Sequence, residues 1–188
     1  MFWSEWGYSD SRIERASLDG SNRTVFHVVK GRVNGLTIDF SDNRLYWTEV
    51  NNKSIGSIRL DGSDARNVVT GNLLEPSSVT QFEDFIYWSD WKAHRIERAN
   101  KNSGDERMVV LDDIRPYVTD LRVFHKNRQT GSNPCSNNNG GCSHLCIAHE
   151  RDNPVPYHCT CPTHYKMADD ERTCQGLKTV QLCATYEL

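Results

Sequence analysis

From Phe2 to Leu111 the apolar residues fall in short, Val- and Ile-rich runs bounded by Gly, Asn, Asp and Ser. Runs of that length, alternating with turn residues, predict β-strands rather than helices. The runs also repeat. Phe2-Trp-Ser-Glu-Trp6 returns as Leu45-Tyr-Trp-Thr-Glu49 and as Ile86-Tyr-Trp-Ser-Asp-Trp91, with the central tryptophan at positions 3, 47 and 88. Each is followed by a second run that ends in glycine, at Ile13–Gly20, Ile55–Gly62 and Ile96–Gly104. Asp-Gly or Ser-Gly between two apolar runs marks a tight hairpin, because glycine takes the positive φ that such turns require. An arginine and a further short strand follow each turn: Arg23 with Val25–Val29, Arg66 with Val68–Thr70, and Arg107 with Met108–Leu111. Asn34–Phe40 and Ser78–Phe82 read as the opening strands of the second and third units, and Tyr117–Phe124 as the opening strand of another.

Four short antiparallel strands in each unit of about 42 residues predict a propeller blade. Two other repeats have similar periods. A WD40 unit expects Gly-His early and Trp-Asp at its end, whereas here the tryptophan follows Tyr or Phe inside a strand and the Gly-His element is missing. A helical solenoid is disfavoured by the short β-branched runs and the glycine turns. The fold class expected is therefore all-β, with a partial propeller over residues 1–126. Propellers typically close with four to eight blades. The chain carries about three, so the remainder is expected on a longer parent protein.

The cysteines define a second region. None of the seven precedes Cys135, and six (Cys135, Cys142, Cys146, Cys159, Cys161 and Cys174) crowd into forty residues. Such density marks a small disulfide scaffold made in an oxidising compartment, here over 131–174, with 175–188 left unassigned. A zinc reading would draw on Cys142, Cys146, His144 and His158, and an oxidising compartment disfavours it. Calcium is not expected, since Gly131-Ser-Asn-Pro134 ahead of the first cysteine offers no carboxylate.

The net charge of −3 is spread along the chain and gives no basic footprint for nucleic acid. No run approaches the roughly 18 apolar residues of a membrane span, and the N-terminus lacks the pattern of a secretory leader. No nucleophile–base pairing, metal-ligand spacing or phosphate loop is present, so the chain is expected to be neither an enzyme nor a cofactor binder. Asn22-Arg-Thr and Asn52-Lys-Ser are glycosylation acceptors in a secreted chain.

Tyr-Trp-Thr-Asp-type blades followed at once by Asn133-Pro-Cys135 and Asn139-Gly-Gly-Cys-Ser-His-Leu-Cys146 resemble the low-density-lipoprotein-receptor superfamily, over about residues 1–174. Arg32-Val-Asn-Gly-Leu-Thr-Ile-Asp-Phe40 and Tyr87-Trp-Ser-Asp-Trp-Lys-Ala-His-Arg-Ile-Glu-Arg-Ala-Asn100 are most similar to its Wnt co-receptor branch, and to the third of that branch's four propellers. The resemblance implies a six-bladed YWTD-type propeller, of which this chain is the second half, and an EGF-like module with bridges Cys135–Cys146, Cys142–Cys159 and Cys161–Cys174. It implies a place on the extracellular side of the plasma membrane, in a type I receptor whose propeller top face binds Wnt ligands and Dickkopf-type antagonists. The partner-binding rim it implies comprises Trp6, Arg32, Asn51, Trp91, Tyr117 and Thr119. A matrix adaptor of the nidogen type or a lipoprotein or endocytic receptor module are the alternatives.

The sequence departs from the branch at Glu5 and Glu49, which replace aspartate, and at Glu75 and Ser77. Trp3, Trp47 and Trp88 are expected in the core. Glu5, Glu49 and Asp90 are expected to hydrogen-bond neighbouring backbone.

Overall fold

A computed structural model describes residues 1–7, 11–128, 131–149 and 153–176. Cys183 and most of the unassigned tail lie outside the described residues. The chain forms two compact units, Met1–Ala16 with Asn22–Thr130, and Ser17–Ser21 with the segment from Gly131 onward. Among the described residues no helix is long and apolar enough to cross a membrane.

The first unit is three antiparallel sheets. One holds β1 (Phe2–Trp6), β2 (Ser11–Arg15) and β3 (Thr24–Val29). The next holds β4 (Val33–Asp39), β5 (Arg44–Glu49), β6 (Ser54–Arg59) and β7 (Arg66–Thr70), and the last β8 (Pro76–Phe82), β9 (Phe85–Asp90), β10 (Arg95–Asn100) and β11 (Met108–Leu111). Strands follow in sequence order, the meander of a propeller blade. The tight turns sit where the Gly signals put them. Gly104, at φ +76°, has the Val68 carbonyl 2.1 Å from where a Cβ would stand, so neither the backbone nor the neighbouring blade accommodates a side chain there.

The apolar faces of the sheets meet in two layers. Ile13, Val29, Val33, Leu45, Trp47 and Ile58 pack between the first and second sheets. Tyr46, Ile55, Val68, Val69, Leu73, Val79, Ile86, Trp88 and Ala99 pack between the second and third. Trp47 and Trp88 therefore each face the preceding blade. Trp47 and Trp88 are buried, whereas Trp3, in the first sheet, is only half-buried.

One irregularity recurs in every blade. The ladder slips by a residue at Ile13/Glu14, Ile55/Gly56 and Ile96/Glu97, directly opposite the central tryptophan. A bulge re-aims a side chain locally. In the first and third blades it aims a buried glutamate. Glu14 takes Arg12 at 2.6 Å and Arg23 at 2.5 Å, and Arg23 lies over the Trp3 ring. Glu97 takes Arg95 at 2.9 Å and Arg107 at 2.7 Å, and Arg107 lies over Trp88. The middle blade has Gly56 at this place, because a Cβ would stand 2.4 Å from the Trp47 ring.

The hydrogen bond from Arg23, supported by Arg12, holds the Glu14 carboxyl down at about 2. A depressed carboxyl adds stability above its unfolded value near 4.5, and that stability is lost as the pH falls toward about 2. Acid titration followed by tryptophan fluorescence should therefore show a loss of stability over this window. Glu14→Gln should be less stable at neutral pH and lose less stability across it.

Tyr117–Phe124 differs from expectation, since it forms no strand. The segment nonetheless docks onto the third sheet: Ser78 Oγ donates to the Asp120 carboxylate at 3.1 Å, and the Leu121 N–H donates to Ser78 Oγ at 2.9 Å. A strand needs a ladder partner, and among the described residues none lies beside this segment.

The second unit contains two small hairpins, β12 (Leu145–Ala148) with β13 (Tyr157–Thr160) and β14 (Tyr165–Met167) with β15 (Cys174–Gly176). Cys135–Cys146, Cys142–Cys159 and Cys161–Cys174 are bonded, with Cα separations of 5.7, 5.4 and 5.6 Å. These bridges take up both sulfur atoms, Cys142 and Cys146, on which a zinc reading would draw.

Candidate ligand-binding rim

At the ends of β1, β5 and β9 the aromatic motif turns from core to surface. The hydroxyl residue after each central tryptophan reaches across to the opening segment of the next blade. Ser4 Oγ donates to the Val33 carbonyl at 3.3 Å, Thr48 Oγ1 to the Ser77 carbonyl at 2.6 Å, and Ser89 Oγ to the Val118 carbonyl at 3.4 Å. In the first and third blades an indole joins the same acceptor. Trp6 Nε1 donates to Val33 O at 2.8 Å and Trp91 Nε1 to Val118 O at 2.7 Å. The tryptophans just after the motif thus do two things. Their N–H groups tie neighbouring blades, while the Trp6 ring stays 57% exposed and Trp91 half-buried.

These rings belong to a connected strip. Arg32 lies over the Trp6 ring, 4.9 Å from its centroid, and its backbone N–H donates to Asn51 Oδ1 at 2.9 Å. The Arg32 guanidinium approaches Glu75 at 4.0 Å, and Lys92 reaches the other oxygen of Glu75 at 3.3 Å. Beyond Lys92, Trp91 meets Tyr117 at 6.0 Å between ring centroids, and His94 stacks on the same tyrosine at 5.4 Å. Tyr117 is 61% exposed. The structure thus groups Trp6, Arg32 and Asn51 at one end and Trp91 with Tyr117 at the other. Thr119 is exposed on the neighbouring segment. Sequence reasoning missed Lys92 and His94, and treated Glu75 as a departure when it is the link. A Trp-Lys-x-His run on a predicted strand end was the available signal.

The acidic motif position behaves differently in each blade. Asp90 accepts the N–H groups of Leu74 at 2.8 Å and of Glu75 and Ala93 at 3.0 Å, which fixes the backbone that carries Glu75. Glu49, one methylene longer, presses on Gly31, where a Cβ would stand 2.8 Å from its Oε1, and takes a short hydrogen bond from Asn52 Nδ2. Burial raises its pKa despite those donors. Among the described residues Glu5 departs from expectation. It pairs with Arg12 at 2.8 Å and Arg23 at 3.2 Å instead of capping backbone, because its longer side chain reaches the guanidiniums gathered by Glu14.

Asn52 is exposed and its amide is committed to Glu49. Asn22 stands at φ +55° just before β3.

Meandering blades, inter-blade clamps at a repeated Trp-hydroxyl-acid motif and a three-bridge module define a YWTD-type propeller followed by an EGF-like module. The chain belongs to the low-density lipoprotein receptor family. Residues 43–80 and 84–116 match the low-density lipoprotein receptor repeat class B, and residues 135–174 match the coagulation factor Xa inhibitory site. Human low-density lipoprotein receptor-related protein 5 is 41% identical over 177 residues, and the mouse protein 40%. These alignments take in 94% of this chain and 10% of each relative, so the chain spans about a tenth of their length. Among solved structures, a chain of the nidogen/laminin complex is similar with a TM-score of 0.51 and 23% identity, covering 59% of this chain and 43% of that one. A luciferin-regenerating enzyme gives a TM-score of 0.50 at 16% identity, covering 61% and 40%. At such identities these two share the fold alone.

Proposed function

We infer that the chain is a protein-binding, non-catalytic module of a cell-surface receptor ectodomain, and that its rim takes Wnt ligands and Dickkopf-type antagonists on the extracellular side of the plasma membrane. The observation that carries this reading is the strip from Trp6 through Arg32, Glu75 and Lys92 to Trp91 and Tyr117. Exposed Trp, Tyr and Arg are the residues in which binding energy concentrates at protein interfaces. Their rings are held by hydrogen bonds and stacking before any partner arrives, which lowers the ordering cost of association. The mixed charges of Arg32, Glu75 and Lys92 suit selection among partners by complementarity.

The test is a binding titration of the immobilised chain against a purified Wnt, a Dickkopf-type antagonist and laminin. The antagonist should bind, and Tyr117→Ala should weaken it about 30-fold, the effect of losing a hot-spot side chain. Trp91→Phe keeps the ring and removes the indole N–H, so it separates ligand contact from the tie to Val118. Antagonist binding insensitive to Tyr117→Ala would remove the rim from the reading. Laminin binding without Wnt or Dickkopf binding would favour the matrix-adaptor alternative.

A further inference from the structure

His149 and His158 are nine positions apart in sequence and meet in space. β12 pairs with β13 through Ile147↔His158 and Ala148↔Tyr157, and the His149 N–H extends the ladder by donating to the Pro156 carbonyl at 2.9 Å. That register puts both imidazoles on one face of the hairpin as diagonal neighbours. His149 Nε2 stands 2.6 Å from His158 Nδ1, with ring centroids 4.9 Å apart.

The other nitrogen of His149 fixes the chemistry. His149 Nδ1 is 2.9 Å from the Val155 carbonyl, which can only accept, so Nδ1 carries the proton. The neutral ring then presents a lone pair at Nε2, and His158 donates to it from Nδ1. An imidazole that gives its second N–H to a backbone carbonyl and aims its free nitrogen at a second imidazole is the arrangement of a metal-ligating histidine.

We propose that His149 and His158 form a two-histidine site for a late first-row divalent cation, Cu²⁺ ahead of Zn²⁺. Two nitrogens each about 2.0–2.1 Å from one cation, at right-angled to tetrahedral geometry, lie about 2.9–3.3 Å apart. The present contact need open by less than about 1 Å, within reach of small side-chain rotations. His158 shifts its proton from Nδ1 to Nε2, and the cation replaces the hydrogen bond between the rings. Imidazole suits Cu and Zn, and the stability order of divalent ions puts copper first. His158 borders a cavity of about 480 Å³ also lined by Asp170, Glu171 and Arg172. Among the described residues no three His, Cys, Asp or Glu side chains are grouped as a metal cluster. Water therefore completes the coordination sphere, and the site is open and exchangeable.

The experiment is calorimetric titration of Cu²⁺ into the full chain carrying Cys183→Ser, which removes that sulfur as a competing ligand. One equivalent should bind, and Zn²⁺ should bind more weakly. His149→Gln or His158→Gln should weaken Cu²⁺ at least about tenfold, since loss of even an outer-shell partner costs about 10–100-fold. His144→Gln should have no effect. Paramagnetic broadening in the chain with both histidines intact is independent of how the variants fold, and should centre on the amides of residues 147–149 and 155–158. Unchanged affinity in both glutamine variants, or broadening centred elsewhere, overturns the site.

Discussion

Lys101→Met is expected to destabilise the propeller unit by about 3–5 kcal/mol, the cost of leaving a buried charge without its partner. Lys101 is 4% exposed and Asp39 1% exposed. The Lys101 ammonium lies 2.6 Å from Asp39, 2.8 Å from Asp42 and 3.3 Å from Ser41 Oγ, so a residue just after β10 in the third blade closes on the β4–β5 turn of the second. Burial alone would lower the Lys101 pKa, but hydrogen bonds with Asp39 and Asp42 outweigh it and leave it raised. Burial alone would raise Asp39, but Lys101 and Ser41 outweigh it and leave it lowered.

The signs follow from linkage. The Asp39 contribution is present above its unfolded value near 3.8 and is lost as the pH falls through the lowered one. The Lys101 contribution is present below 10.5 and is lost as the pH rises through the raised value. Urea unfolding at neutral pH should show the full loss in Lys101→Met. The double variant Lys101→Met with Asp39→Asn should recover part of it, because the buried pair is then removed from both sides. A double variant no more stable than the single one would mean that the methionine itself, not the orphaned carboxylate, disrupts the site.

This cluster also marks how far the sequence can be read. The blades were legible because each repeats a local code, with an aromatic strand, a glycine turn and an arginine strand. Local codes survive without knowledge of the partner strand. Lys101 and Asp39 lie 62 positions apart in different blades, and Lys101 stands where the other two copies of its run carry Leu18 and Leu60, so the repeat does not announce it. Their meeting depends on how two sheets stack, which no window of sequence contains. The His149–His158 contact is hidden for a related reason. Its register depends on a hairpin within a disulfide-bonded module, where pairing rather than periodicity positions the side chains.

Tyr117–Phe124 shows the converse. Its alternation is that of an opening strand, and Val118 accepts the same two hydrogen bonds that Val33 accepts in β4. The pattern predicted the opening strand of another blade, and the segment docks onto the third sheet without forming one. Whether it becomes a strand depends on a neighbour outside its own residues. At the rim, residue types were legible and connectivity was not. Trp6, Arg32, Trp91 and Tyr117 stood out as hot-spot residues, whereas the ion pairs of Glu75 with Arg32 and Lys92 became visible only with two blades side by side.

The two tryptophans of one motif should separate fold from surface. Trp88→Ala is expected to cost about 3–5 kcal/mol, as for a large aromatic removed from a packed core. Trp88 has no exposed surface, and it lies among Tyr46, Ile55, Val68, Val69, Leu73, Val79, Ile86 and Ala99 under the Arg107 guanidinium. Among the described residues its indole N–H has no hydrogen-bond partner. Trp88→Phe therefore loses ring volume and little else, and should cost less than half as much as alanine. Three residues on, Trp91 is held by one hydrogen bond to Val118 and by contact with Tyr117. Trp91→Ala should give up about 1–2 kcal/mol, a hydrogen bond and partial burial. Urea midpoints at constant slope measure both. Equal losses at the two positions would assign Trp91 to the core and remove it from the binding face. A large loss at Trp88 alone would leave the motif's trailing tryptophan free to meet a partner.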